Sequence, residues 1–190
     1  MEIHVVPVSW SSHSLPLRKV REAVFIEEQQ VPRELEWDGE DESAHHFLAI
    51  NEAGQAIGCT RLLTSGQIGR MAVLAEFRGT GIGKRLLAVA VEQAKQLGFR
   101  MVHLHAQTQA EPFYRKNGFL PVGEVFMEAD IPHQRMELEL PIPFESPGKT
   151  ARPVLRDDTP ADRTEPVAEL LNYRGVGDCA AGILEALRHP

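Results

Sequence analysis

Apolar and polar positions change period along the chain, and the changes mark its elements. Ile3 to Val8 alternates weakly and predicts a first strand. Leu17, Val20, Val24 and Phe25 form an apolar stripe that predicts a helix over 15–30, stopped by Pro32. Residues 33–42, Arg33-Glu34-Leu35-Glu36-Trp37-Asp38-Gly39-Glu40-Asp41-Glu42, break the pattern with acid. They read as a solvated surface loop or as a lid that draws in a cationic amine, with Trp37 packed on the fold or on a substrate. His46 to Asn51 and Gln55 to Leu63 predict a hairpin around Glu52-Ala53-Gly54. Thr64-Ser65-Gly66 turns the chain into Ile68 to Leu74, which reads as a buried strand. Ile82, Leu86, Val89, Ala94 and Leu97 then recur at helical spacing, with Gly98 placed to end the helix.

In Arg100 to Ala106, Met101, His103 and His105 share one face of a strand, and Val102, Leu104 and Ala106 share the other. Residues 110–119 predict a short helix with Pro112 in its first turn and Gly118 at its end. Pro121 to Ala129 and Gln134 to Leu140 predict a last antiparallel pair joined by Asp130-Ile131-Pro132-His133. A strand–helix–strand crossover among hairpins defines an α/β domain with a central, mostly antiparallel sheet. From Pro141 the composition shifts. Pro141, Pro143, Pro147, Pro153, Pro160 and Pro166 mark a linker, followed by two short helical patterns, the first capped by Thr164 and the second over 177–188. We therefore expect a domain over 1–143 and a linker with helical tail over 144–190. A tail of that size cannot hold a core alone, and it carries no recognisable chemistry.

Composition narrows the class. The 190 residues carry a net charge of −7, which argues against nucleic acid as a partner. No apolar run approaches the roughly twenty residues of a membrane span, and Met1-Glu2-Ile3-His4 does not open a secretory signal. Cys59 and Cys179 are the only cysteines, too few for a disulfide framework. A cytoplasmic protein is expected. His45 and His46 are adjacent, so on a strand they face opposite sides, and no metal is expected of them.

The chemistry concentrates at Arg78-Gly79-Thr80-Gly81-Ile82-Gly83-Lys84-Arg85. Glycines between a strand and a helix free backbone N–H groups to converge on one anion. The helix terminus and three basic side chains add positive charge. A phosphorylated cofactor is the implied ligand, and an ordinary glycine-rich turn is the plainer alternative. The stretch is not a Walker A loop, because Arg85 stands where Ser or Thr is required. Nor is it a dinucleotide fingerprint. Its third glycine comes one residue early, and 98–106 offers no acidic ribose ligand.

The pattern Arg-x-x-Gly-x-Gly at Arg78, Gly81 and Gly83, after such a strand, resembles the coenzyme A loop of the GNAT superfamily of N-acetyltransferases. Phe113-Tyr114-Arg115-Lys116-Asn117-Gly118-Phe119 is similar to that superfamily's second signature. Val24 to Gln29, Ile68-Gly69-Arg70 and Ile131 to Met136 narrow the resemblance to the ElaA-like branch, over about 1–143. The resemblance implies a V-shaped slot between the central strand and the strand at 100–106. Acetyl-CoA would lie there against the backbone of Met71, Ala72 and Val73. Its pyrophosphate would rest on Gly79, Thr80, Gly81, Ile82, Gly83 and Lys84, with Arg78 beside it.

The implied reaction is acetyl transfer to a primary amine of a small molecule by direct attack in a ternary complex, with a homodimer as the candidate assembly. A backbone N–H near Val73 would stabilise the oxyanion, and Tyr114 would donate a proton to the leaving thiolate. Without the motif, Tyr114 reads as a core residue. Glu28, Arg70 and His133 are the expected acceptor-site residues. Many GNAT enzymes have a glutamate base on the central strand, where this chain has Arg70, which cannot act as one. Glu28, His103, His105 and His133 remain open as the base. Arg70 pairs with Glu28, binds an anionic group of the acceptor, or forms a surface ion pair. A coenzyme A-binding regulatory module without turnover is the alternative to an enzyme.

Overall fold

The strand Ala56–Leu62 is buried from Ile57 onward, because a helix packs on each of its faces. Gly58 looks toward the helix Ile82–Gln96. A Cβ there would lie 3.0 Å from the Ala72 carbonyl oxygen and 3.1 Å from Leu86 Cδ1, so glycine allows helix and sheet to close up. Arg61 looks the other way and shares the carboxylate of Asp41 with Arg21 of the helix Trp10–Arg21.

The computed structural model describes residues 2–141. In chain order its elements are β1 (Ile3–Val8), α1 (Trp10–Arg21), α2 (Arg33–Glu36), β2 (His45–Asn51), β3 (Ala56–Leu62) and β4 (Ile68–Val73). There follow α3 (Ile82–Gln96), β5 (Met101–Gln107), α4 (Glu111–Lys116), β6 (Leu120–Pro121), β7 (Phe126–Glu128) and β8 (Ile131–Glu139). The expected α/β architecture is present, and its strand ladders are antiparallel. Two sheets make it up, one ordered β1-β2-β3-β4, the other β5-β8-β6 with β7 also on β8. A single parallel bridge, Gln67 with His103, joins them, reinforced by the His103 N–H donating to the Gly66 carbonyl at 3.2 Å. Beyond that bridge β4 and β5 separate. The tail at 144–190 lies outside the described residues.

The core forms beneath α3, which packs on β1 to β4 and joins the apolar side of β5 in one cluster. Ile82, Leu86, Leu87, Ala90 and Ala94 meet Val102, Leu104 and Ala106 of β5, with Phe119 and Met136 closing the layer. Each large side chain sealed there is worth about 1.5–3 kcal/mol. The opposite face of β5, with His103 and His105, stays half-buried, as its alternation predicts.

Three local expectations change. The helix expected over 15–30 begins at Trp10 and leaves α geometry after Arg21. Glu22–Glu28 continues in wider π turns, with the Gln29 N–H on the Val24 carbonyl at 3.1 Å. One extra residue per turn breaks the 3.6 period, so the stripe could not show where the helix changes. The last hairpin turns at Ala129-Asp130, both at positive φ (51° and 59°), and Ile131 to His133 begin β8 instead of forming the connection. Asp tolerates that conformation, and Pro132 sits opposite the short strand β7. Finally, 33–42 is not a purely solvated loop. It holds α2, and its Glu36 and Asp41 are buried.

Candidate active site

The divergence of β4 and β5 opens a cavity of about 540 Å³ that runs from the glycine loop to the half-buried face of β5. One wall is β4. The Leu74 N–H pairs with the Ile57 carbonyl at 3.0 Å. Antiparallel alternation therefore turns the N–H and C=O of Val73 to the other edge, toward β5. Arg78 Nε already donates to that carbonyl at 2.9 Å. The Val73 N–H remains as the donor on the slot.

Midway along the same wall the strand bulges. Between the pairs Cys59–Ala72 and Arg61–Gly69, β4 has one residue more than β3, and Arg70 takes a positive φ of 49°. β3 supplies the compensation: Thr60 Oγ1 donates to the Gly69 carbonyl at 3.3 Å and Cys59 Sγ to the Arg70 carbonyl at 3.5 Å. Burial pushes the Cys59 thiol up to about 12, so it stays a protonated donor.

At the far end, α3 starts without a side-chain cap on Gly81. Its first helical bond is Arg85 N–H to the Gly81 carbonyl, 3.1 Å, so the amides of Ile82, Gly83 and Lys84 precede the helical ladder. Gly79 and Gly81 hold φ of 77° and 87°, which glycine adopts without strain. A Cβ on Gly83 would come no closer than 3.7 Å to Phe113. Thr80 turns its hydroxyl back to the Phe77 carbonyl at 2.6 Å and is not on the cavity wall.

Of the three alternatives left open for Arg70, the pairing with Glu28 does not form. Glu28 is taken by Arg78 through two bonds, 2.7 and 2.6 Å, which hold its carboxyl below the usual range. Arg70 reaches back to the acidic segment instead. Its Nε lies 3.1 Å from Glu36 Oε2, and its Nη2 donates to Asp38 Oδ2 at 2.9 Å and to the Leu35 carbonyl at 3.0 Å. Arg21 and Arg61 complete the cluster, each bound to Asp41, with Arg21 also on Glu36 and Arg61 on Asp38. Three guanidinium groups thus meet three carboxylates. Trp37 packs on the fold over Arg18 and Arg21, whose guanidinium carbons lie 4.7 and 4.6 Å from its ring centroid. Burial raises Glu36 despite its arginines. In Asp38 burial is outweighed by Arg61, the Glu40 amide and Arg70, and its carboxyl is held low.

The third wall is the outer face of β5, β7 and β8. The ladders place His105, Gln107, Glu128 and His133 on one side of that sheet. His105 Nδ1 bonds Glu128 Oε2 at 2.9 Å, and the ring meets Phe126 edge-on. His133 Nδ1 donates to the Ile131 carbonyl at 2.8 Å, and its ring stacks on Phe126. Gln107 Nε2 donates to Gln29 Oε1 at 2.8 Å, tying β5 to the π turn that brings Phe25 to the wall. Tyr114 reaches the cavity from α4 between Phe113 and Phe119. Burial pushes its hydroxyl up to about 12, and no hydrogen-bond partner for it occurs among the described residues.

The cavity thus gathers Met71, Ala72, Val73, Arg78, Gly79, Gly81, Ile82, Gly83, Lys84, Arg70, Tyr114 and His133 from the sequence expectations, and leaves Thr80 and Glu28 off its wall. His103, one of the open choices for a base, is also off the wall, and burial, Arg135 and His105 lower its pKa. Sequence reasoning missed Glu128, Gln29 and Gln107. A two-residue turn at Ala129-Asp130 would have put Glu128 opposite Ile131 and on the face of His133, which was the available signal.

A sheet split at a single bridge, with an unpaired strand edge leading to an uncapped helix, is the architecture of an acyl-CoA acyltransferase. The family model of the acetyltransferase (GNAT) domain matches residues 14–140, and the chain belongs to that family. It is 38% identical over 120 residues to the N-acetyltransferase YjcF of Bacillus subtilis, itself uncharacterised, covering 62% of this chain and 86% of that one. The crystal structure of Escherichia coli ElaA matches with a TM-score of 0.66 and 30% identity, over 73% of this chain and 100% of the other. An acyl-CoA N-acyltransferase from Pseudomonas aeruginosa matches with a TM-score of 0.65 and 31% identity, over 72% and 99%.

Proposed function

We propose that residues 1–143 transfer an acetyl group from acetyl-CoA to a primary amine of a small molecule by direct attack in a ternary complex. One observation carries the reading: a single cavity joins an anion-binding loop, an unspent strand edge and a separate polar face. The loop fits a pyrophosphate through the amides of Gly79 to Lys84 and the charge of Lys84. The Val73 edge fits an amide-bearing chain laid along β4. Acetyl-CoA, when bound, supplies an acetyl group activated as a thioester.

The chain's own residues do the rest. The Val73 N–H is the donor for the charge that develops on the carbonyl oxygen. Tyr114 keeps its proton throughout the physiological range and offers it to the departing sulfur. Its raised pKa makes it a hydrogen-bond donor first, completing proton transfer only as charge builds on sulfur. The acceptor enters over Phe25, Gln29 and Gln107.

The charge balance of that entrance favours a cationic amine without an anionic group. Arg70 is already neutralised by Glu36 and Asp38, and Glu128 is the carboxylate on the wall. The alternative in which Arg70 binds an anionic group of the acceptor loses support, because its charge is taken by Glu36 and Asp38 while Glu28 is held by Arg78. Action in the cytoplasm belongs to the same proposal; among the described residues no helix is long and apolar enough to cross a membrane.

The test is release of free thiol from acetyl-CoA against a panel of amines, run beside thermal unfolding with and without acetyl-CoA. Stabilisation of about 2.7 kcal/mol is expected at a hundredfold excess over Kd. Binding without turnover on every amine would favour the regulatory module, and no stabilisation would remove the reading altogether.

A further inference from the structure

We infer that His105 is the general base that deprotonates the acceptor amine, and that Glu128 positions it, an inference that rests on the acetyltransferase reading above.

The cavity wall offers few groups able to take a proton. Arg70 cannot act as a base. Glu28 is off the wall, with its carboxylate spent on Arg78. His103 is off the wall as well. Three candidates remain, His105, His133 and Glu128, and their bonds rank them. Glu128 accepts from His105 Nδ1, at 2.9 Å, so in the neutral ring that nitrogen carries the hydrogen and Nε2 has the lone pair. His133 is oriented in the same sense, with Nδ1 on the Ile131 carbonyl. The two partners differ in kind. A carboxylate stabilises the imidazolium that proton abstraction creates, whereas a neutral carbonyl supplies only a dipole.

Position gives a second argument. The sheets meet at the bridge between Gln67 and His103. His105 is two residues further along β5, on the same face, at the narrow end of the slot where β4 and β5 begin to part. It shares the cavity with Tyr114 and the Val73 edge. His133 lies beside Gln107, two residues further up the ladder and away from the bridge.

The proton count closes. The arriving ammonium nitrogen loses two protons on becoming an amide nitrogen. The first passes to His105 Nε2 and from there to solvent. The second is also lost from nitrogen to solvent; Tyr114 gives its hydroxyl proton to the sulfur as the new C–N bond replaces the C–S bond, and regains one from solvent, so one proton is released per turnover.

The charged and titratable groups around His105 are Glu128 on β7, His133 and Arg135 on β8, and His103 on β5. Arg135 is itself engaged by Glu137 at 2.9 Å, and the arginine of β4 by Glu36 and Asp38.

The experiment has two arms. Long-range 1H–15N spectra of the wild-type protein without ligand should show His105 protonated on Nδ1, and Glu128→Gln should give a mixture of tautomers. Kinetics of His105→Gln should show kcat lower by about 10²–10⁴-fold, no acid limb in the kcat/KM profile, and partial rescue by added imidazole, with the acetyl-CoA melting shift kept. Glu128→Asp should retain most of the activity that Glu128→Gln loses. An unchanged profile in His105→Gln, an Nε2-protonated tautomer in the wild type, or a loss found in His133→Gln instead, each overturns the assignment. Wild-type protein with neither a melting shift nor thiol release fails the underlying reading instead, and the tautomer spectrum still judges the pair of residues if a variant does not fold.

Discussion

Arg78 grips Glu28 with two parallel hydrogen bonds, 2.7 and 2.6 Å, and so fastens the cofactor loop to the π turn fifty residues earlier. The same guanidinium holds the Val73 carbonyl through Nε. On the proposed reading, a pyrophosphate on the loop would compete with Glu28 for Arg78. Glu28→Gln removes the competing charge, and acetyl-CoA is expected to bind about two- to fivefold more tightly, in keeping with a half-exposed pair. Titration calorimetry at two salt concentrations checks this. Weaker binding would mean that the clasp shapes the loop more than it occupies the arginine.

The loop glycines separate by conformation. Gly81 sits at a φ of 87°, so Gly81→Val strains the backbone as well as crowding the amides. Gly83 has room for a methyl group, so Gly83→Ala should keep the melting shift with acetyl-CoA, while Gly83→Glu should abolish it by placing an anion at the phosphate site. Differential scanning fluorimetry of the three variants distinguishes a cradle for phosphate from a turn that merely starts a helix.

Tyr114 has no internal partner for its hydroxyl among the described residues, and removal of that oxygen should leave the fold as stable as before. Tyr114→Phe is expected to keep acetyl-CoA affinity and melting temperature and to lower kcat by roughly 10²-fold. An unchanged kcat on a substrate for which chemistry limits turnover would return Tyr114 to the core.

Arg70→Gln leaves Glu36 and Asp38 each one cation short. Because Glu36 is buried, a loss of about 1–3 kcal/mol is expected in denaturant unfolding. KM should change alike for amines with and without an anionic group. A selective rise for anionic amines would restore Arg70 as an acceptor ligand.

His46 offers a test by pH. It is 2% exposed, its Nε2–H donates to the Asp41 carbonyl at 2.8 Å, and burial depresses its pKa. A depressed folded value means that the stability it contributes is whole above the unfolded value, about 6.5, and is lost as pH falls below it. Glu36, raised by burial, has the opposite sign and gains as pH falls. Melting temperature should therefore drop between pH 7 and 5.5 in the wild type, and less in His46→Gln. Equal slopes would remove His46 from the account.

The parts of this protein that were legible in its sequence are those set by local periodicity. β2, β3, α3 and β5 appear where the alternation or the helical stripe puts them, and the glycine loop falls between β4 and α3 as expected. What escaped depends on single residues that break a period. The bulge at Arg70 adds one residue to β4, the π turns add one per turn after Arg21, and the two-residue turn at Ala129 moves Glu128 onto the face of His105. Partner choice escaped for another reason. Arg70 had carboxylates on either side, and only the path of α2 decides that Glu36 and Asp38 take it.

The turning of Val73 toward β5 also bears on how copies of this protein behave when crowded. A strand edge with unspent donors recruits strands from other chains. Here that edge lies in a recess instead of on the rim of a sheet, and the left-handed residue at Arg70 breaks its register within the same strand. A neighbouring polypeptide cannot pair along it for more than a few residues. The feature that would ready β4 for a slender guest therefore also works against its nucleating the stacking of like strands that ends in aggregates.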